Sequence, residues 1–342
     1  MPSIKDVVIG TKYVFNGLNN ENFKMFSDAY DDSVTNSACI NDITNLIVGE
    51  GLYNKKEDGL NPKITLSDTD LQLIVLDYKI QGSTTIQVIW RNGKPVKMYH
   101  VPVESNALNV NENMDIDGVW YSYDWTKKYK FVPKFYPIFD GKEPKKGVSI
   151  LRIVRPSNEP LYPRPNWYPA LRWAQDEGLM AQHSYRDIKD GFSGQKVINW
   201  VGGRSLTEEQ KKLAAKEIRE KFAGIDGQRL IVSINGSVEN SIVVDNISPP
   251  NVNATYVNYT EEAERKILIA HSYPAILLAG AKTGFSSNAD EIAVATKSVF
   301  RRVINPDRSV LIDGISQVYK LIDSSTNLYF KDFEESKTDE NK

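Results

Sequence analysis

Three histidines, one cysteine and two short acidic pairs are what this sequence offers for metal or acid–base chemistry. His100, His183 and His271 share no ligand spacing, and no HExxH motif occurs. Cys39 alone cannot assemble a sulfur-ligated zinc site, so the histidines read as surface or packing residues. Asp68-Thr69-Asp70 and Asp115-Ile116-Asp117 are able in principle to hold Mg²⁺ through paired carboxylates. The first pair also reads as a helix N-terminus and the second as a turn. A metal-dependent hydrolase or nuclease using Asp68, Asp70, Asp115 or Asp117 is therefore one reading. Gly280-Ala281-Lys282-Thr283-Gly284 carries a Lys-Thr pair, but its glycines are out of register with G-x-x-x-x-G-K-[ST]. Gly191-Phe192-Ser193-Gly194 brings its second glycine one residue too early for a nucleophile elbow. Tyr162-Pro163-Arg164-Pro165-Asn166-Trp167-Tyr168 suits either a platform for a proline-rich or sugar ligand or a rigid hinge against a long helix. No catalytic residue, cofactor or metal is expected.

Positioning such residues falls to a chain of 342 residues, enough for two or three modules. Hydrophobic residues at 41% and charged residues at 25% argue against disorder. The net charge of −2 lacks the basic excess of a tight nucleic-acid binder, which does not exclude a passage that DNA slides through. One cysteine rules out an intramolecular disulfide framework. The opening MPSIKDVVIG shows no signal peptide, and the longest apolar run, Pro274–Ala281, is far short of a membrane span. Without an export signal, the sequons at Asn235, Asn253 and Asn258 read as loop asparagines.

Apolar spacing predicts helices over Asn36–Val48, ended by Gly49-Glu50-Gly51, and over Asp68–Ile80, stopped near Gly82. Thr84–Trp90 and Pro95–Val101 flank Arg91-Asn92-Gly93-Lys94, a strong hairpin signal. Gly118–Trp125, Lys130–Ile138 and Ser149–Val154 read as strands. Five prolines stiffen Arg155–Pro169 before a long helix, Tyr168–Lys189. Strand Lys196–Val201 precedes a helix running from Ser205 to about Phe222, with Ser205-Leu206-Thr207-Glu208 as its capping box. Strands Arg229–Ile234 and Ser241–Val244 follow, then a helix Thr260–His271. Asn288-Ala289-Asp290-Glu291 opens another helix, with Ile292, Thr296, Val299, Phe300 and Val303 on one face. Asn305-Pro306 is expected to break it before a last helix carrying Leu311, Ile315, Val318 and Ile322.

In this order the segments resemble the portal protein family of tailed bacteriophages, the head–tail connectors. Over Glu262–Ile322 the likeness rests on the His271-Ser272-Tyr273-Pro274 helix end and Leu277-Leu278-Ala279-Gly280. It continues through Phe285-Ser286-Ser287-Asn288-Ala289-Asp290-Glu291 and Asn305-Pro306. Tyr162, Pro165, Trp167 and Ala170-Leu171 entering a long helix, Phe222-Ala223-Gly224 and Gly227-Gln228-Arg229 extend it. Gly49-Glu50-Gly51-Leu52, Pro62 and Tyr78–Trp90 fit the family's wing region.

The resemblance implies an α+β portal fold: a mixed α/β wing (1–165), a stem helix (166–189), an α/β clip (190–259) and a second stem helix (260–275). A tunnel loop and helix (276–304), a C-terminal wing or crown helix (305–330) and a flexible tail (331–342) complete it, with the crown reduced or absent. It implies a non-enzymatic homo-oligomeric ring, usually a dodecamer, at a capsid vertex of the virion, assembled in the host cytoplasm. Double-stranded DNA would pass through it, and terminase, a head–tail adaptor and the major capsid protein would be its partners; no membrane is involved. Gly280, Ala281, Lys282, Thr283, Gly284, Phe285, Ser286 and Ser287 would form the tunnel loop. A tail or adaptor protein is the alternative within the same setting.

Overall fold

The computed structural model describes residues 13–55, 66–111, 113, 115–142, 146–159, 161–189, 196–201, 206–222, 230–235, 252–278 and 289–333. The chain falls into two compact units, residues 1–175 with 263–342, and residues 176–262. The fold is α+β.

In the first unit, α1 (Glu21–Asp32) and α2 (Val34–Val48) precede a short strand β1 (Gly51–Asn54) and α3 (Asp68–Gln81). α1 has no counterpart in the sequence reading, although it buries Phe23, Phe26 and Ala29 at helical spacing. α3 starts where Ser67 Oγ accepts the Asp70 N–H at 3.0 Å and the Asp70 carboxylate takes the Ser67 hydroxyl at 2.5 Å. That reciprocal cap satisfies donors the helix leaves orphaned. α3 stops at Gly82, whose φ of 75° closes the last turn as the Gly82 N–H bonds Tyr78 O.

Strands β2 (Ser83–Arg91) and β3 (Lys94–Val101) form the predicted hairpin, with Asn92 and Gly93 both at positive φ. β4 (Asn106–Val110), β5 (Ile116–Tyr121) and β6 (Lys134–Pro137) make a second antiparallel sheet in that order. The expected strands Gly118–Trp125 and Lys130–Ile138 are thus shorter than their apolar runs. Trp125 turns away into a 3-10 segment and packs on Tyr13 and Phe15, at ring separations of 5.3 and 5.1 Å. β7 (Lys146–Val154) pairs with β2 along its length, giving sheet order β3-β2-β7.

A single 3-10 turn, Tyr168–Ala170, leads into α4 (Leu171–Lys189). The second unit holds a parallel pair, β8 (Lys196–Val201) and β9 (Leu230–Asn235), bridged in sequence by α5 (Glu208–Phe222). The cap of α5 sits two residues later than expected. Thr207 Oγ1 accepts the Gln210 N–H at 3.3 Å, and Gln210 Oε1 accepts the Thr207 N–H at 3.0 Å. Thr207-Glu208-Glu209-Gln210 satisfies the same reciprocal pattern, so Glu208 is the first helical residue and not the boxed acid. Ser205 and the expected strand Ser241–Val244 lie outside the described residues.

α6 (Val252–His271) begins eight residues before the expected Thr260. Asn253 and Asn258 are therefore helical and Asn235 ends a strand, which corrects their reading as loop residues. α7 (Ala289–Val299) is not broken at Asn305-Pro306; a π-helical turn, Phe300–Ile304, joins it to α8 (Asn305–Tyr319). Pro306 has no N–H to donate and its ring presses on the preceding turn. Widening that turn, with the Asn305 N–H reaching back to Phe300 O, lets the helical path continue. Last comes β10 (Leu328–Lys331), paired with β1. Lys331 and Asp332, assigned from sequence to the flexible tail, are held: Lys331 pairs with Gly51 in the strand, and Asp332 takes the Arg308 guanidinium at 2.5 Å.

The main core lies between α2, α3, α8 and one face of the β3-β2-β7 sheet, where Ile43, Ile74, Ile86, Val88, Ile153, Leu311 and Ile315 are buried. α8 approaches β7 so closely that a Cβ on Gly314 would stand 2.6 Å from Ile153 Cδ1. Gly82 is similarly confined, a Cβ there meeting the Arg164 and Pro163 carbonyl oxygens at 2.9 Å. Gly82→Ala is expected to destabilise the protein by about 2–3 kcal/mol, adding a backbone clash to the left-handed penalty. Gly141→Ala, also at positive φ but with nothing within 4 Å, should cost about 1 kcal/mol. Denaturant midpoints of the two variants check the difference; equal losses would mean that the contact with Arg164 is relieved at no cost.

Candidate functional site

Of the segments singled out by sequence, the Tyr162–Tyr168 cluster is bonded into the fold at several points. Tyr162 Oη accepts the Leu108 N–H at 3.0 Å and donates to Val14 O, and burial raises its pKa. Arg164 pairs with Glu159 at 2.9 Å and lies over the Tyr168 ring at 4.5 Å. Trp167 is fully buried and donates its indole N–H to Lys79 O at 3.1 Å. These side chains are spent on the protein itself. The cluster is packed into the fold at the root of α4.

The last turn of α6 docks on that block. Trp167, Ala170, Leu171 and Ala174 pack with Phe26, Ile40, Ile80 and Ile267 in one cluster. His271 stacks on Trp167, the ring centroids 6.3 Å apart and the planes 18° from parallel. Its Nε2 lies 2.8 Å from Asn36 Oδ1, in a buried contact. Burial first, and the Lys79 charge second, push the imidazole pKa down to about 3, so it is neutral at pH 7. Beyond it, Ser272 adopts φ 53°, and the Ser272 and Tyr273 N–H groups bond Ile269 O and Leu268 O. This is a Schellman ending with serine in the left-handed position usually given to glycine. It turns Tyr273 inward, where its hydroxyl donates to Asp42, a carboxyl whose pKa burial raises.

Under the same joint lies a buried ion pair. Lys79, in the last turn of α3, meets Asp307, in the first turn of α8, at 2.7 Å, and the Tyr78 hydroxyl stands 3.4 Å from the second carboxylate oxygen. Sequence reasoning missed this pair and the Trp167–His271 stack. Trp167 and His271 were each singled out in sequence, but the partners are far apart in the chain and nothing in sequence joins them.

The acidic pairs do not converge on a metal site. Asp70 caps α3 and also accepts the His100 N–H at 3.0 Å, while Asp117 takes the Asn109 amide at 2.6 Å. Among the described residues, no group of three His, Cys, Asp or Glu side chains is arranged to hold an ion. His100 bonds Asp77 at 2.9 Å, a carboxylate that also accepts the Val103 N–H. Burial raises the Asp77 pKa against the opposing pull of those two partners. No helix of the described residues is long and apolar enough to cross a membrane. Gly280–Ser287 lies outside the described residues. The helix that follows in sequence, α7, has Asp290 and Glu291 in its first turn. Of its expected apolar face, Val299 and Val303 are buried, whereas Ile292 is exposed.

No family model and no curated protein matches the chain. Solved structures do. A chain of the virion of a native gene transfer agent (GTA) particle superposes with a TM-score of 0.60 at 11% identity, over 94% of this chain and 86% of that one. A chain in the neck of an empty GTA particle computed with C6 symmetry gives 0.63 at 10% identity, over 96% and 88%. One in the neck of a native GTA particle computed with C12 symmetry gives 0.54 at 13%, over 86% and 79%. At such identities the likeness is one of fold.

Proposed function

We propose that this chain is the portal subunit of a phage-like particle: a non-enzymatic wedge, twelve of which close into a ring at a capsid vertex and pass duplex DNA. The observation that carries the reading is the order of the fold. Two long helices, α4 and α6, are rooted side by side through the Trp167–His271 stack and enclose in sequence a small α/β module. They are followed by the α7–α8 run. Fold neighbours drawn from the virion and neck of GTA particles support it.

In this reading residues 1–165 are the wing, 166–189 and 260–275 the stem, 190–259 the clip, and 276–304 the tunnel loop and helix. The ring closes through heterologous contacts that tolerate mixed charge. α5 offers such a surface, with Lys211 bonded to Glu208 at 2.8 Å and Glu209, Lys212, Lys216 and Glu217 around it. Lys282, repeated around the ring, touches phosphates transiently. The near-neutral chain avoids the strongly basic bore that would trap DNA. Terminase supplies the motor, while an adaptor and the major capsid protein are the remaining partners. The hydrolase alternative finds no support in the acidic pairs, of which Asp70 serves a helix cap and Asp117 a strand contact.

Electron microscopy of the purified protein at high concentration is expected to show rings with a central hole; monomers alone would overturn the reading. Deleting Thr283–Ser286 should leave rings intact while DNA packaging is impaired. Loss of rings would make that segment structural.

A further inference from the structure

The connection between β5 and β6 combines charge and exposed rings in a way the ring reading does not use. Residues 121–137 contain four lysines, Lys127, Lys128, Lys130 and Lys134, against one acid, Asp124, in a chain whose overall charge is −2. Asp124 caps the 3-10 turn through Thr126 and lies 3.6 Å from Lys127. Lys128 sits over Phe15 at 4.7 Å and Lys130 over Phe131 at 5.4 Å. Tyr129, between Lys128 and Lys130, is 86% exposed, and the flanking Tyr123 and Phe135 are 76% and 43% exposed.

The lobe that displays them is firmly held. Trp125 is buried beneath it, the Ser122 N–H bonds Ser105 O at 3.0 Å, and Ser122 Oγ donates to Phe131 O at 3.0 Å. The Lys130 and Phe131 N–H groups both reach Lys127 O. Large rings left in water on an ordered scaffold need little further ordering to bind.

We propose that this lobe binds single-stranded nucleic acid, the lysines meeting phosphates and Tyr123 and Tyr129 stacking on bases. Lysines interleaved with exposed aromatic faces match both parts of an unpaired strand, its charge and its π surfaces. A duplex hides its base faces and would use only the lysines. An acidic protein surface is gripped best by the bidentate fork of arginine, and 121–137 has none. A membrane needs aliphatic depth, and Val132 is the one aliphatic residue in the segment. The inference stands on the lobe alone and does not depend on ring formation.

Fluorescence anisotropy of a labelled oligothymidylate with the full-length protein tests it. Binding should weaken with salt at a log–log slope of about −3, as expected for four lysines on a single strand. Lys127→Ala/Lys130→Ala/Lys134→Ala should reduce that slope by about 2. Tyr123→Ala/Tyr129→Ala should weaken binding about tenfold or more with the slope unchanged. Both variants replace exposed side chains, so their melting curves should match the parent's. A duplex of equal length should bind less tightly. Failure to bind the oligonucleotide overturns the proposal, as does equal affinity for the duplex or an unaffected tyrosine variant. So does competition by phosphatidylserine vesicles or polyglutamate as effective as that by unlabelled strand. None of these outcomes bears on whether rings form.

Discussion

Asp307→Ala is expected to destabilise the protein by about 3–5 kcal/mol, read as a fall in the urea midpoint, because it leaves the Lys79 ammonium buried without an acid. The Lys79 side chain is 4% exposed and that of Asp307 10%, so water cannot take over when one partner goes. Lys79→Met should do comparable damage by stranding the carboxylate, whose Tyr78 neighbour is a neutral hydroxyl at 3.4 Å. Yet the intact pair adds little net stability, since burying two charges costs about what their attraction returns. The double variant Lys79→Met/Asp307→Leu should therefore recover most of the loss, giving strong coupling in a double-mutant cycle. Additive losses in that cycle would show that each residue acts through separate contacts. What the pair supplies is register: it fixes the end of α3 against the start of α8, the helix that the π turn carries past Pro306.

Local chemistry decided which parts of this fold were legible in the sequence. Asn92-Gly93 and the Ser67–Asp70 cap with Gly82 impose their geometry on neighbouring residues, and the β2–β3 hairpin and α3 follow within a residue or two. The first turns of α6 were missed because Val252–Thr260 is rich in asparagine and β-branched residues, poor helix formers by themselves. β1 and β10 are four residues each and pair from opposite ends of the chain, so neither carries a signal alone. The proline at 306 pointed to a break, since sequence rules see the missing donor but not a wider turn that removes the need for it. At the candidate site, the proline–aromatic cluster was legible as a stiff segment entering a long helix, as a hinge or a ligand platform. Its function depends on His271 and Lys79, which meet it only in the folded chain.

His271 should make stability fall with acid over a defined window. The imidazole, 4% exposed, titrates near 6.5 in the unfolded chain and at about 3 when folded. Between these values the unfolded chain binds a proton that the folded one refuses, so stability declines as pH drops, by about 1.4 kcal/mol per pH unit. Above pH 6.5 this contribution is fully present, and below 3 it is lost. Asp42, Asp77 and Glu104, with carboxyl pKa values raised by burial, act in the opposite sense near the acid end. The comparison must therefore be with His271→Gln, which keeps a donor for Asn36 but does not titrate. Asn36 Nδ2 donates to Ala29 O at 3.3 Å, so its Oδ1 faces the ring and accepts from the neutral Nε2–H. At pH 7.5 the variant should be the less stable, by about 1–2 kcal/mol, for losing the stack on Trp167. Toward pH 4 the parent should lose its advantage and then fall below the variant. Lys79→Met, by removing the nearby positive charge, should raise the folded pKa of His271 and so shorten the acid limb, which would end at a higher pH than in the parent. Denaturant unfolding of the three proteins across pH 4–8 measures this, and parallel profiles for the parent and His271→Gln would show that the buried imidazole titrates as it does in water.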